Sequence, residues 1–226
     1  MRALFVHGMG RSPISGWPLL WKLKRGGIST QTFWYSTTCA DFSAITRRLI
    51  SVITTLAEAG DYVLIGHSLG GVLLRAAVNA LPCGVRRPRH LFLLASPIQP
   101  ARLAQRLAGN TLYRLITGDC GQLLASAPRM AAVGAVTIPT TAIAGTRGWH
   151  GRSGIFNGES NDGIVSLTEV SAAWLDAPEQ VQTIHTLLPS SRHVGEIILR
   201  RASEDVRSSS ATQDHASAHP DKPERQ

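Results

Sequence analysis

Residues 62–78 read YVLIGHSLGGVLLRAAV and place a serine between glycines where the hydrophobic pattern changes. The apolar run before Gly66 predicts a short buried strand, and the apolar residues after the glycines predict a helix. Gly66, Ser68 and Gly70 satisfy the pattern G-x-S-x-G at this junction. A serine on a sharp strand-to-helix turn exposes its hydroxyl, and glycines beside it allow a strained backbone and close helix–strand packing. The stretch therefore predicts Ser68 as a nucleophile, and a chance Gly-Ser turn is the alternative interpretation.

Short β-like runs alternate with helical patterns on both sides of this stretch. Asp41 is a suitable N-cap for a helix with apolar residues at helical spacing, and Val194 and Ile197 lie on a closing helix. This alternation predicts an α/β fold with a mostly parallel sheet and helices on both faces. The predicted strands cover residues 3–6, 30–35, 62–65, 90–95, 140–144 and 181–184.

Two segments fall outside the alternation. Residues 98–138 have weak helical patterns and predict a partly helical insertion after a strand. Its apolar side chains either line an acyl pocket or pack the insertion onto the core, and both interpretations stay open. Residues 203–226 are rich in Ser, Ala, Asp and His and predict a disordered C-terminal tail, which leaves one domain over residues 1–202. The apolar residues of the insertion are Leu103, Leu107, Leu112, Tyr113, Leu115, Ile116, Leu123 and Leu124.

Composition restricts the compartment and the partners. No run of 18 apolar residues exists, so no transmembrane segment is expected, and the apolar start of the chain is too short for a signal peptide. Three cysteines without metal or redox spacing fit a reducing compartment, so a cytoplasmic location is predicted. The net charge of +8 is compatible with attraction to nucleic acid or anionic lipid, or with a solvated basic surface. No aromatic interleaving or DNA-binding motif accompanies it, so no nucleic acid partner is expected.

The segment VHGMG, residues 6–10, follows the first predicted strand. A tetrahedral intermediate of acyl transfer needs two backbone N–H groups aimed at its oxygen. We assign one to Leu69, directly after the nucleophile, and the other to Met9, because glycines on both sides let its loop approach a substrate closely. Alone, such a segment is an ordinary turn. Together with the serine turn it predicts an oxyanion hole.

The acid and the base are expected after the serine, in that order. Asp162 in NDGIVS, residues 161–166, lies in a turn before a short apolar run and is the candidate acid, although Asp-Gly is also a general turn signal. The base is either His185, next to the last predicted strand, or His193, in the first turns of the closing helix. A base belongs on a loop at the carboxyl edge of the sheet, which favours His185. The rival carboxylates are Asp119, Glu159, Glu169, Asp176 and Glu179.

VHGMG, GHSLGG, NDGIVS and HTLLPSSRHV, in this order, resemble the small bacterial lipases and esterases of the α/β-hydrolase superfamily. The resemblance covers roughly residues 3–201 and implies a minimal version of the fold. In that family an Asp in N-D-G is followed by a catalytic His that opens a segment like HTLL, so the resemblance implies Asp162 and His185. Glycine is common two residues after that histidine, where this chain has Leu187.

The resemblance and the residues together predict a serine esterase that forms an acyl-enzyme on Ser68, with no metal and no organic cofactor. The substrate is expected to be a small-molecule or lipid ester, and peripheral contact with a membrane is compatible with the sequence. Three alternatives stay open at this point: an acyltransferase or thioesterase with the same triad, a non-catalytic interaction protein on a hydrolase scaffold, and a basic surface-binding protein.

Overall fold

Six parallel strands form the sheet in the computed structural model, which describes residues 1–149, 151 and 154–217, with side chains up to residue 204. The strand order is β2-β1-β3-β4-β5-β6, with every neighbouring pair parallel. All six carboxyl ends therefore lie at one edge, where ligand sites of such sheets form. The strands are β1 Arg2–Val6, β2 Ser29–Phe33, β3 Tyr62–His67, β4 His90–Leu94, β5 Thr140–Gly145 and β6 Glu179–Val181.

Helices cover both faces of this sheet, as the sequence predicts. They are α1 Trp17–Arg25, α2 Phe42–Glu58, α3 Leu69–Asn79, α4 Arg102–Leu107, α5 Thr111–Ala125, α6 Ala127–Val133 and α7 Arg192–Ser217. Asp41 caps α2 as expected, since its carboxylate accepts the Ala44 N–H at 2.6 Å. In the described part of the chain, short 3-10 turns also cover Pro13–Gly16, Thr168–Val170 and His185–Ser190.

The alternation of side chains along the strands divides the core into two layers. Leu4, Leu64 and Leu91 face α2 and α3 on one side of the sheet, whereas Phe5 and Ile65 face α1 and α7 on the other. Because both faces are covered, the central strands are apolar at almost every position, as is usual for buried parallel sheets. This packing fixes the strand ends that carry the candidate site.

The insertion after β4 is partly helical and contains α4, α5 and α6, which confirms that part of the predicted fold. Its apolar residues divide between two environments. Leu123 and Leu124 are buried in the core, but Leu112 and Ile116 are 64% and 51% exposed. The backbone of Gly118, at φ 54° and ψ −145°, separates these two halves of α5. The insertion therefore neither packs wholly on the core nor encloses its apolar residues.

The structure differs from the sequence-based expectation at the last strand. The last strand ends at Val181, so residues 182–184 form a turn rather than a strand, because the Thr183 N–H bonds back to the Val181 carbonyl at 2.7 Å. Helix α7 is described as far as Ser217, and the disorder expected for residues 203–226 stays a prediction. Residues 218–226 lie outside the described part of the chain.

Candidate active site

Ser68 lies on the turn between β3 and α3, at the carboxyl edge of the sheet. Its backbone has φ 53° and ψ −125°, a strained conformation for a residue with a side chain. The turn is held because the Ser68 N–H donates to the Leu94 carbonyl at 2.8 Å. A Cβ atom at Gly70 would lie 2.2 Å from the Val6 carbonyl oxygen, so only glycine lets α3 approach β1 this closely. This is the geometry that exposes a nucleophilic hydroxyl.

The loop after β1 passes directly beside Ser68. A Cβ atom built at Gly8 would lie 3.1 Å from the Ser68 Cβ. Tyr35 fixes the loop, since its hydroxyl donates to the His7 carbonyl at 2.8 Å and its ring stacks on the His7 ring at 4.4 Å. His7 in turn donates its Nδ1–H to the Gly8 carbonyl at 2.8 Å. These contacts set the orientation of the peptide that joins Gly8 to Met9.

Two backbone N–H groups near the serine turn, those of Met9 and Leu69, are the candidates for an oxyanion site. In a trans peptide the carbonyl and the following N–H point in opposite directions, so the bonded Gly8 carbonyl fixes the direction of the Met9 N–H. Within the described part of the chain, neither the Met9 N–H nor the Leu69 N–H donates to a protein acceptor. Leu69 is also the first residue of α3, where N–H groups are unpaired and the helix dipole is positive.

Asp162 and His185 form a buried hydrogen bond across the β5 and β6 loops. The His185 Nδ1–H donates to the Asp162 Oδ2 at 2.7 Å, and the Asp162 side chain is fully buried. The other carboxylate oxygen, Oδ1, accepts the N–H groups of Ile164 and Val165 at 3.0 and 2.9 Å. A second link joins the His185 N–H to the Asp162 carbonyl at 3.0 Å. The carboxylate therefore orients the imidazole and leaves Nε2 as its free nitrogen.

His67 links this pair to the serine turn. Its Nε2–H donates to the His185 carbonyl at 3.1 Å, and the two rings lie 4.8 Å apart. Burial lowers the pKa of His67 well below its usual value, and the charge of a protonated His185 lowers it further. His67 is thus neutral at pH 7 and acts as a fixed donor. In this structure the Ser68 hydroxyl makes no hydrogen bond to a described residue.

The rival residues have other partners or lie away from Ser68. His193 is on the surface of α7, with its side chain 61% exposed and 3.6 Å from the Glu196 carboxylate. Asp119 pairs with Arg129 at 2.8 Å, and the buried Glu169 accepts the Ser166 N–H in the turn that follows Asp162 and the Arg102 N–H at the start of α4. Glu159 pairs with Arg102, Glu179 bonds to Arg200 and Arg201, and Asp176 is exposed.

Sequence reasoning did not find the supporting roles of Tyr35, His7 and His67. His67 lies directly before Ser68 in the sequence, and this position was the available signal. The role of Tyr35 depends on a contact across 28 residues, which no local pattern shows.

Three features outside this cluster bear on other possible functions. A cavity of about 910 Å³ lies between α1 and the edge strand β2, lined by Trp17, Trp21 and Lys24 among others, and it contains none of the candidate residues. Among the residues that the structure describes, no three His, Cys, Asp or Glu side chains are grouped to hold a metal ion. No described helix has the length and apolar character needed to cross a bilayer.

The parallel sheet, the strained serine turn and the buried Asp–His pair define a protein of the α/β-hydrolase class. Residues 3–223 match the model of the alpha/beta hydrolase family, and the chain belongs to that family. No sequence among curated proteins is similar to the chain.

Solved structures share this fold at low sequence identity. A metagenomic carboxyl esterase is 15% identical with a TM-score of 0.67, over 93% of this chain and 76% of that one. The RedJ thioesterase of the prodiginine pathway in Streptomyces coelicolor is 15% identical with a TM-score of 0.55, over 90% and 85%. Phospholipase PlaB from Legionella pneumophila is 17% identical with a TM-score of 0.60, over 76% and 44%. The chain therefore spans less than half the length of that phospholipase.

Proposed function

We propose that this protein is a serine hydrolase that cleaves carboxylic esters through an acyl-enzyme on Ser68. The observation that carries the proposal is the 2.7 Å bond between His185 and the buried Asp162, linked by His67 to a serine on a strained turn. A general base needs an imidazole with a fixed tautomer and one free ring nitrogen, and a buried carboxylate on Nδ1 provides both. An ion pair that only decorates the surface would not be buried in this way.

Each residue has a defined role in the proposed mechanism. Ser68 Oγ attacks the acyl carbonyl while His185 Nε2 takes its proton, and the N–H groups of Met9 and Leu69 stabilise the oxyanion. His185 then returns the proton to the leaving alcohol, and the acyl group stays on Ser68. Water attacks that ester with His185 again as base, which releases the acid and restores the serine. Asp162 stabilises the imidazolium in both steps.

The substrate class is proposed to be small-molecule or lipid esters. Two structural neighbours are named as an esterase and a phospholipase, and these names denote enzymes that cleave ester bonds. A third is named as a thioesterase, so a thioester substrate stays the alternative. An acyltransferase would use the same residues but pass the acyl group to an alcohol or amine. The predicted cytoplasmic location is retained as part of the proposal.

The experiment is an activity profile over p-nitrophenyl esters of increasing acyl length, with acyl thioesters and added alcohols in parallel. We expect turnover of esters with water as acceptor, and its loss in Ser68→Ala. The matched control is Ser51→Ala on the outer face of α2, whose hydroxyl bonds only within its own helix. Higher turnover of thioesters, or transfer to alcohols in preference to water, would contradict ester hydrolysis and favour the alternatives.

A further inference from the structure

Exposed large apolar side chains concentrate at the edge of the sheet that holds Ser68 and His185. Among the described residues, eleven such side chains are at least 38% exposed. Seven of them lie in the segments that follow β1, β2, β5 and β6, three lie on the first half of α5, and the eleventh, Trp21, lies one helical turn along α1. Soluble proteins expose single apolar residues over their whole surface, so a concentration on one edge indicates an interaction surface.

One part of this edge surrounds the His185 loop. Ile14, in the turn after β1, is 78% exposed, and Trp17, the first residue of α1, is 67% exposed. Leu187, in the 3-10 turn after His185, is 53% exposed. The Arg11 guanidinium donates to the Thr186 carbonyl at 3.3 Å, which holds these two segments together.

The other part is the first half of α5. Leu112, Leu115 and Ile116 have the spacing of one helix face, and Leu115 is 74% exposed. The Thr37 hydroxyl donates to the Ile116 carbonyl at 3.3 Å, which ties this helix to the loop after β2. That loop begins with Trp34, which is 59% exposed. Both parts therefore belong to the same edge of the molecule.

Among the described residues, the exposed charges on this edge without an ion-pair partner are mostly positive, although they include the Asp41 carboxylate at the N-cap of α2. Arg11, Arg114 and Arg147 are exposed and make no ion pair with a carboxylate in the described part of the chain. Two carboxylates of the neighbouring segments, Asp119 and Glu159, are each paired with another arginine. An apolar face with tryptophans and free cations at its border is complementary to a bilayer whose headgroups are anionic.

We propose that this edge docks on the surface of a membrane that contains anionic lipid, with Leu115 inserted below the headgroups and Trp17 at their level. Indole rings favour the headgroup level, and arginines beside them meet lipid phosphates. The inference rests on the proposed function in one respect, since docking would bring the ester of a lipid to Ser68. Binding itself does not depend on catalysis.

The test is sedimentation of the full chain with vesicles, in the Ser68→Ala background so that lipid is not consumed. We expect binding to vesicles of mixed phosphatidylcholine and phosphatidylglycerol, weaker binding to phosphatidylcholine alone, and a fall with added salt. Trp17→Ser and Leu115→Ser should each lower the partition coefficient roughly tenfold. Arg11→Ala and Arg114→Ala should lower it about fivefold each on anionic vesicles.

Two matched controls locate the surface. Trp21→Ser removes an exposed indole that is one turn further from the edge and lies under the Arg25 guanidinium at 4.7 Å, so a smaller loss is expected. Lys24→Ala removes an exposed cation near the opposite end of α1 and should leave binding unchanged. Equal losses in Trp17→Ser and Trp21→Ser would contradict docking through the edge.

Absence of vesicle binding by the folded chain would overturn the proposal. If the chain instead forms dimers that Trp17→Ser and Leu115→Ser dissociate, the edge binds a second copy and not a membrane. Ester hydrolysis is measured separately with a soluble short-chain ester. A loss of vesicle binding with hydrolysis retained rejects only this inference, and the reverse result rejects only the proposed function.

Discussion

At the scale of single residues, the proposed chemistry depends on which ring nitrogen of His185 carries the hydrogen. Asp162 holds Nδ1–H, so Nε2 is the nitrogen that can accept the serine proton. His67 donates to the carbonyl of the same residue, which restrains the His185 backbone. His193 has neither restraint and is exposed to solvent.

This difference predicts the effects of removing each histidine. His185→Ala should lower kcat on a soluble ester by roughly 10⁴-fold or more, because the base and its acid act as a unit. His193→Ala should stay within about tenfold of the wild type, since it contacts only Glu196. Steady-state kinetics on variants with unchanged melting curves is the measurement. A larger loss in His193→Ala than in His185→Ala would move the base to α7.

The sequence predicts the residue types of the site but not their supports. Ser68, Asp162 and His185 were identified from chain order and turn patterns, and the structure brings Asp162 and His185 together. Tyr35, His7 and His67 were not identified as supports, because their roles arise from contacts between segments far apart in the chain. The oxyanion assignment to Met9 and Leu69 stays a prediction that the loop geometry supports.

Close packing of α3 against β1 and β3 builds the serine turn at the scale of elements. Two glycines frame this turn, and a Cβ atom at either position would lie against neighbouring backbone. At Gly66 the Cβ would lie 2.4 Å from the Gly71 Cα, and at Gly70 it would lie 2.2 Å from the Val6 carbonyl oxygen. Neither neighbour is a flexible side chain that could move aside. The separation of helix and strand is therefore set by the absence of side chains at these positions.

Gly70→Ala should lower the free energy of unfolding by roughly 1–3 kcal/mol, the range for inserting a methyl group into a packed site. Gly109→Ala is the matched control, because no atom lies within 4 Å of its Cβ position and its φ is not positive. Urea unfolding of both variants gives the two values. Equal stability of Gly70→Ala and Gly109→Ala would show that α3 does not pack as closely as described.

The sequence predicts the order of the strands along the chain, but it does not predict where every strand ends. Five predicted strands agree with the structure within two residues, because each is an apolar or β-prone run with a clear boundary. The last strand does not, since VQTI has the composition of a strand while its backbone turns after Val181. Likewise, apolar periodicity in the insertion cannot separate a buried Leu124 from an exposed Leu115.

At the scale of the whole molecule, two buried histidines beside the candidate site make the free energy of unfolding depend on pH. Burial lowers the pKa of both His7 and His67 below the usual value of 6.5, although the bond to Gly8 partly offsets this at His7. The unfolded chain therefore binds more protons than the folded one once the pH falls below about 6.5. Stability is full above that pH and is lost as the pH falls toward the lower folded values.

The free energy of unfolding should accordingly fall on acidification from pH 7 to pH 5, with a slope of up to about 1.4 kcal/mol per pH unit for each histidine. His67→Gln should flatten this slope, and His7→Gln provides a second variant if the first does not fold. The control His193→Gln, on the exposed face of α7, should retain the slope of the wild type. A wild-type slope in both His7→Gln and His67→Gln would contradict the buried neutral state of these rings.

The central claim, that Ser68 is an activated nucleophile, is tested most directly by labelling with a fluorophosphonate probe and mapping the modified peptide. We predict one covalent adduct on Ser68 in the wild type and in the control Ser51→Ala, and none in Ser68→Ala. The reason is that the probe phosphorus takes the place of the acyl carbon, and only an activated serine beside oxyanion donors attacks it. Undiminished labelling of a folded Ser68→Ala variant, or an adduct mapped to another residue in the wild type, would contradict the account.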